Sequence, residues 1–365
     1  MAHTEHTVMV VGASGLVGTA AVERFLADGA EVIAVSRRAP EVTPSPRLRH
    51  LPLDLRDADA CRAAAPSFAE VTHVVYAAVY EMPGLVPGWT DPHQMSVNLQ
   101  MLTNVLDAVA ASPVRHLSLL QGTKAYGAHL HPIRVPARES EPRDAHENFY
   151  WLHEDLVRER SAREGWSFTI WRPQLIVGPN HGVVMNIPPV IGAYAAIRRA
   201  EGLPFSFPGG APWVWEAVDT RLIADAMSWA ANEPAAANET FNITNGEVFE
   251  FRDMWPALAR TLGVEVGPDE PLSIAEYLPP RAEVWDRIVR EHDLRPVALP
   301  ELLGESHHYA DVCFAFGAEA APPPTYLSTV KLKQAGFGGA YDTEASFCHW
   351  LQVLIDRRIL PPPNS

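Results

Sequence analysis

Two short stretches carry the residues with the most distinctive chemistry. Residues 147–155 read ENFYWLHED, with Tyr150 at the start of a helical pattern, and residues 119–127 read LLQGTKAYG, with Lys124. The chain has three lysines, Lys124, Lys331 and Lys333, so Lys124 stands alone in the first half. A phenol near an ammonium is a good donor to an oxygen that gains negative charge, because the cation stabilises the phenolate and lowers the tyrosine pKa. Hydride transfer to a carbonyl or conjugated carbonyl creates such an oxygen. Alone, Lys124 also reads as a structural lysine at a strand end, and Tyr150 as a buried ring with its hydroxyl satisfied. Together, on consecutive loops, they make a split pair. Glu154 stands four residues after Tyr150, where a consecutive Tyr-x-x-x-Lys motif has its lysine. With Asp57 and Asp155 it reads as a helix-start or exposed charge.

The elements that must position the pair follow from periodicity. Short apolar runs at 7–13, 31–38, 48–55, 71–79, 114–122 and 166–178 read as strands, and amphipathic patterns at 18–30, 57–68, 93–112 and 150–165 read as helices. Strands alternating with helices predict an α/β fold, a Rossmann-type doubly wound parallel sheet. Lys124 then falls just past the fifth strand, at the carboxyl edge where such sheets bind ligands. After about residue 180 Pro and Trp become frequent, and TRLIADAMSWAANEP and FRDMWPALARTLG read as amphipathic helices. The expected organisation is a dinucleotide-binding domain over 1–180 and a smaller, mostly helical substrate-binding lobe over 181–365, interleaved with the first. Trp213, Trp215, Trp229, Trp255, Trp285 and Trp350 read mainly as core packing, and Phe337 is a pocket candidate.

Gly12-Ala-Ser-Gly15-Leu-Val-Gly18 follows the first strand and opens the first helix. Glycines there let the backbone approach a pyrophosphate seated on the N–H-rich helix terminus. Gly12, Ser14, Gly15, Leu16 and Val17 are the expected contacts. The second strand ends in Ser36-Arg37-Arg38, without the acidic residue that would accept hydrogen bonds from both ribose hydroxyls. A guanidinium attracts a 2′-phosphate that a carboxylate would repel, so the cofactor expected is NADP(H). Asp54-Leu55, ending the third strand, suits an adenine contact.

Bulk composition excludes several classes. A formal charge of −15 argues against nucleic-acid or anionic-membrane partners. Cys61, Cys313 and Cys348 lack CxxC or Cys/His spacing, as in a reduced cytoplasmic chain. His129, His131, His307 and His308 lack metal-ligand spacing and read as surface or satisfied histidines; no metal site is expected. MAHTEHTVMVVGASG has no basic n-region and reads as a first strand, and no apolar run is long enough to span a membrane.

The sequence resembles the progesterone 5β-reductase/iridoid synthase-like enone reductases, an atypical extended branch of the short-chain dehydrogenases/reductases. The resemblance runs through Gly12–Gly18, Ser36-Arg37-Arg38, Asp54-Leu55, LLQGTKAYG, NFYWLHED, RPQLIVGPNHGVVMN (172–186) and FPGGAPWVWEAVDTRLIADAMSWAA (207–231). It continues through NETFNITNGEVFEFRDMWPALA (238–259) and STVKLKQAGF (328–337), nearly the whole chain. It implies that Lys124 and Tyr150 are the catalytic pair and that Arg37 and Arg38 hold the NADPH phosphate. By the same likeness Ala78, Val79 and Gln121 lie along the cofactor, and Ile176 and Met185 flank the nicotinamide with Asn186 close behind. Two departures stand out. Plant members show Gln-Thr-Gly-x-Lys-His-Tyr where this chain has Gln121-Gly122-Thr123-Lys124-Ala125-Tyr126, and Ala78-Val79 replaces a Thr-Trp pair.

The leading expectation is an NADPH-dependent reductase of activated C=C bonds acting on a small hydrophobic carbonyl compound. Tyr150 would stabilise the enolate oxygen and Lys124 would polarise Tyr150. A carbonyl reductase using the same pair for 1,2-attack is the alternative. A nucleotide-sugar epimerase would keep Tyr-x-x-x-Lys, and a non-catalytic dinucleotide sensor could dispense with the pair altogether. A homodimer is an expectation of the family alone.

Overall fold

The computed structural model describes residues 6–82 and 87–363. Residues 1–5, the start of the stretch read as leading into the first strand, lie outside this description. Among the described residues no helix is long and apolar enough to cross a membrane.

The chain opens with β1 (Thr7–Val11), α1 (Leu16–Ala27), β2 (Glu31–Ser36), β3 (Leu48–Pro52), α2 (Ala58–Ala64) and β4 (His73–Tyr76). It continues with α3 (Pro92–Ala108), β5 (His116–Leu120), α4 (Phe149–Glu164) and β6 (Ser167–Pro173). Then come β7 (Leu175–Val177), α5 (Pro188–Ala200), β8 (Val214–Asp219), α6 (Thr220–Ala230), β9 (Glu239–Ile243), β10 (Val248–Glu250) and α7 (Phe251–Leu262), followed by further short helices. Two compact units emerge. The first holds the residues up to Gln174, Thr220–Ile243 and Leu327–Gly339; the second holds Leu175–Asp219, Thr244–Tyr326 and the chain from Ala340. Segments beyond residue 180 thus belong to both units.

In the first unit seven parallel strands run in the order β3-β2-β1-β4-β5-β6-β9. The order reverses between β1 and β4, which makes the crevice at their carboxyl ends the ligand position of such sheets. Strands buried on both faces need near-continuous apolar runs, and β1 supplies one in Val8, Met9, Val10 and Val11, all about fully buried. Met9, Ile33, Tyr76, Leu102, Val105, Leu117, Val157 and Ile170 join sheet, α3 and α4 in one apolar cluster. Each such side chain stabilises the fold by about 1.5–3 kcal/mol. Helix ends follow local chemistry. Asp57 caps α2 through the Ala60 amide, as expected, and Asp91 caps α3 through the His93 and Gln94 amides. Gly165, at φ +82°, ends α4.

Two sequence expectations shift. The first helix starts at Leu16, so Gly18 lies in its first turn. The single strand expected over 166–178 is two strands in different sheets. Pro173 lacks the amide hydrogen that would carry the ladder onward, and β6 stops there.

The second unit holds a three-stranded sheet, β10-β8-β7, and an aromatic core. Phe205 and Trp255 stack at 4.3 Å between centroids. Buried indoles need partners for their N–H groups. Trp215, Trp255 and Trp285 donate to the carbonyls of Cys313, Phe205 and Val297, and Trp350 to Asp219 Oδ2. These four are core residues, as expected; Trp213 and Trp229 are half-buried.

Gly12 sits at φ +82°, and a Cβ there would lie 2.7 Å from the Ala78 amide nitrogen. Left-handed strain and overpacking add, so Gly12→Ala is expected to lower the unfolding free energy by about 2–4 kcal/mol in urea melts. Gly165→Ala has the same sign of φ with nothing within 4 Å of the new methyl; its expected cost is about 1–2 kcal/mol.

Candidate active site

At the crevice the Gly12–Gly18 turn presents bare backbone. A Cβ on Gly18 would run into the Gly12 carbonyl, so the turn and α1 pack as tightly as glycine allows. Helix α1 has no side-chain cap and no acidic residue in its first turn. The first-turn amides, among them Leu16 and Val17, therefore have neither an intrahelical acceptor nor a competing carboxylate, and favour an anion. Gly15 is the N-cap residue, and Ser14 is half-buried in the turn.

Beyond β2, the Ser36 hydroxyl donates to the Arg38 carbonyl at 2.6 Å and shapes the strand end. Arg37 and Arg38 are exposed. Among the described residues neither has a carboxylate within ion-pair distance, and Arg37 acts on Asp54 only through its longer-range charge. Asp54 takes a forked contact from Arg56 at 2.6–3.2 Å. The Arg56 hydrogen bond lowers its pKa to about 2. Leu55 turns into the apolar core, and its carbonyl accepts from Asn104 Nδ2 at 2.8 Å. Ala78 is half-buried and Val79 is 50 % exposed.

The residues after β5 and at the start of α4 are tied together. Asn148, the N-cap of α4, accepts the Tyr150 N–H on Oδ1 at 3.0 Å and donates from Nδ2 to the Lys124 carbonyl at 3.1 Å. Gln121 adds a second tie, donating from Nε2 to the Tyr150 carbonyl at 3.1 Å, while its Oε1 has no partner. The Tyr150 hydroxyl lies over Gly122, 3.5 Å from where a Cβ on that glycine would stand. Two loops far apart in sequence thus hold Lys124 and Tyr150 side by side at the backbone.

The side chains are arranged differently. Lys124 Nζ is 4.0 Å from Glu81 Oε1 and 3.5 Å from the centroid of the Trp89 ring. Among the described residues no hydrogen bond joins it to the Tyr150 hydroxyl. Burial lowers the Lys124 pKa to about 8, against the opposing pull of Glu81. Burial, with Glu81 next, raises the Tyr150 pKa well above its ordinary value, while Arg172 pulls it down. Tyr150 is therefore a neutral phenol, able to donate. Glu81 and Trp89 escaped sequence reasoning because each belongs to a loop without motif spacing. The helix behind them carries the signal that could have found Glu81. Asn98, fully buried on α3, clamps the Tyr80 backbone at 2.9 and 2.8 Å, and Gln94 Oε1 accepts the Met82 amide at 2.7 Å.

Glu154 corrects the sequence reading. It is 3 % exposed rather than a surface charge, with Arg172 Nη2 at 2.9 Å and Arg143 Nη2 at 3.0 Å. Arg172 is itself buried, its guanidinium 5.0 Å from the Tyr126 ring centroid. The position where a consecutive motif has lysine is occupied by the anion of a buried ion pair. Asp155 is exposed, as expected, and pairs with Arg143 at 2.7 Å. His129 also departs from the surface-or-satisfied reading, since its buried Nδ1 has no hydrogen-bond partner among the described residues. His131 is exposed and meets Asp144 at 2.9 Å. Phe337 is buried, 5.5 Å from Trp229 between ring centroids.

In the second unit Ile176 lies half-buried in β7 and Met185 adopts φ +63°. Asn186 staples that loop, donating to the Gly178 and Asn180 carbonyls at 2.9 and 2.6 Å.

A seven-stranded parallel sheet with a glycine cradle at its switch point defines a dinucleotide-binding α/β protein of the extended short-chain type. Residues 8–244 match the NAD dependent epimerase/dehydratase family. The chain is 30% identical to an (S)-8-oxocitronellyl enol synthase of Antirrhinum majus, over 98% of this chain and 93% of that protein. It is 31% identical to a 3-oxo-Delta(4,5)-steroid 5-beta-reductase of Arabidopsis thaliana, over 98% and 94%. A UDP-glucose 4-epimerase of Thermus thermophilus, solved with NAD, shares the fold at TM-score 0.63 and 20% identity, over 95% of this chain and 98% of that one. The chain belongs to the NAD dependent epimerase/dehydratase family and, within it, to the progesterone 5β-reductase/iridoid synthase-like oxidoreductases.

Rebuilding the consecutive motif with Glu154→Lys would set an ammonium against Arg172 and Arg143. The expected cost is at least about 3–5 kcal/mol in denaturant melts, as for stranding a buried charge. Glu154→Gln, which keeps an acceptor, should cost less; equal stability of the lysine variant and the native chain would refute the structural role.

Proposed function

We propose that this protein is an NADPH-dependent reductase of activated C=C bonds, acting on small hydrophobic carbonyl compounds. One observation carries the reading: Tyr150, in the first turn of α4, and Lys124, in the loop after β5, are held side by side at the backbone by Asn148. The relatives agree in chemistry, since one is named for forming an enol and the other for reducing a 3-oxo-Δ4,5 steroid, a conjugated enone.

The first unit holds the cofactor. Gly12, Ser14, Gly15, Leu16 and Val17 line the pyrophosphate, Ser36, Arg37 and Arg38 the 2′-phosphate, and Asp54 and Leu55 the adenine side. Ala78, Val79, Gln121 and Tyr150 would hold its nicotinamide half. Bound there, NADPH supplies the hydride that the β-carbon accepts. The rest falls to the chain. Tyr150, a neutral phenol, donates to the substrate carbonyl oxygen and stabilises the enolate as charge develops. Lys124, on a flexible stem, turns from Glu81 toward Tyr150 and makes the phenol a stronger donor. Glu154 and Arg172 keep the position behind Tyr150 filled and neutral as a pair. The α-carbon then takes a proton from water.

NADPH oxidation measured with a cyclic enone, with a simple aldehyde and without substrate tests the reading. Enone-dependent turnover giving the saturated ketone is expected; an allylic alcohol or aldehyde-only turnover would assign 1,2-attack instead. Tyr150→Phe and Lys124→Met should each lower kcat/KM by about a hundredfold or more. Unchanged rates in both would sink the mechanism. Because the Lys124 pKa lies at about 8, its ammonium is present below that pH and lost above it. Activity should therefore fall as pH rises through about 8, and Lys124→Arg should move that limb upward.

Cofactor preference is a separate check. The Arg37→Ala/Arg38→Ala double variant should lose about tenfold to a hundredfold of its preference for NADPH over NADH, the range for hydrogen bonds to a charged group. An unaltered ratio would place the 2′-phosphate elsewhere.

A further inference from the structure

Beyond the pair itself, a chain of polar side chains leads to Asn148. Asp144 Oδ1 lies 2.7 Å from His146 Nδ1, and His146 Nε2 lies 3.1 Å from Asn148 Nδ2. We propose that Asp144, His146 and Asn148 form a positioning relay for Tyr150 and Lys124, in which a neutral His146 of one tautomer orients the Asn148 amide. The proposal rests on the functional reading above and adds positioning residues to it.

Donor and acceptor counting carries the argument. Asn148 Oδ1 is taken by the Tyr150 N–H, which fixes the amide so that Nδ2 faces both the Lys124 carbonyl and His146. The two Nδ2 hydrogens then have one acceptor each. His146 must accept on Nε2, so its proton sits on Nδ1 and is donated to Asp144. A helix cap alone would need only Oδ1. The shared use of Nδ2 goes further, because it couples the cap of α4 to the loop that carries Lys124.

A second proton on His146 breaks this arrangement. Its Nε2–H would then face the Asn148 NH2, donor against donor. An amide flip would satisfy His146 but turn the NH2 group toward the Tyr150 amide and the oxygen toward the Lys124 carbonyl. Neither orientation keeps all three contacts, so protonation loosens the tie between the two loops.

The groups facing His146 are these. Asp144 is shared with His131, whose Nε2 lies 2.9 Å from Oδ2. The His129 ring is 5.3 Å away and the Trp151 ring 6.1 Å away, with Trp151 Nε1 donating to the His146 carbonyl at 3.2 Å. Arg143 stands over Trp151 on the far side, at 5.1 Å.

The test reads hydrogen exchange at the Tyr150 amide, as protection relative to the unstructured rate, alongside the pH profile of enone reduction. NMR of labelled histidine follows the His146 titration directly. Wild-type protection and kcat are expected to fall together by about tenfold wherever that NMR signal shows His146 doubly protonated, the effect of one lost buried hydrogen bond. His146→Phe removes the acceptor and should lose about tenfold at every pH, with NADPH affinity retained. His146→Gln can place Oε1 where Nε2 stood; it should regain most of that loss and show no acid limb. Asn148→Asp keeps the cap but not the Nδ2 donors, and should hold the helix while loosening the Lys124 loop. An acid limb unchanged in His146→Gln, or a His146→Phe protein that behaves as wild type, would overturn the relay. If the folded protein binds NADPH but reduces no enone, the functional reading fails, and exchange at Tyr150 still decides the relay.

Discussion

The amide of Asn148 is the constraint on which the site depends. Its oxygen caps α4 at Tyr150 and its nitrogen grips the Lys124 carbonyl. One side chain therefore ends a loop, starts a helix and sets the distance between two loops. Capping is worth about 1 kcal/mol wherever it occurs. Here the same group also sets geometry, and geometry matters more, because a phenol donor acts only where it meets the developing oxyanion.

Glu154 shows how electrostatics follow from that placement. A lysine one turn after Tyr150 would share its environment with Arg172, whose guanidinium is buried against Tyr126. An isolated buried cation is costly, and Glu154 supplies the partner it needs. With that position taken by an anion, the cation for Tyr150 must come from another element. In the proposed mechanism Lys124 is that cation, and in the structure it lies against Glu81 and the Trp89 face. Its low pKa and the high pKa of Tyr150 share one leading cause, burial, which disfavours charge on either group.

The cofactor side is simpler physics. Backbone amides at an uncapped helix start, a turn that admits only glycine, and two exposed guanidinium groups at the next strand end all favour phosphate. None of this depends on the tyrosine. The two halves of the site are therefore separable by experiment, binding on one hand and turnover on the other.

Much was legible in the residues themselves. The alternation of apolar runs and amphipathic stretches determined the parallel sheet, since strands buried on both faces and helices buried on one leave different periodicities. The glycine turn was readable because close backbone packing demands that residue type. Lys124 stood out by rarity, and Tyr150 by its place at a helix start. Tertiary structure alone decided the rest. Glu154 looked exposed because its partners Arg143 and Arg172 lie eleven residues before it and eighteen after it, with no shared periodicity. Glu81 and Trp89 meet Lys124 through contacts that no local spacing encodes, with Asn98 and Gln94 of α3 holding the Tyr80 and Met82 amides. A short range of sequence sets propensity, whereas burial and pairing arise from neighbours brought together by the fold, and pKa values and hydrogen-bond direction depend on those neighbours.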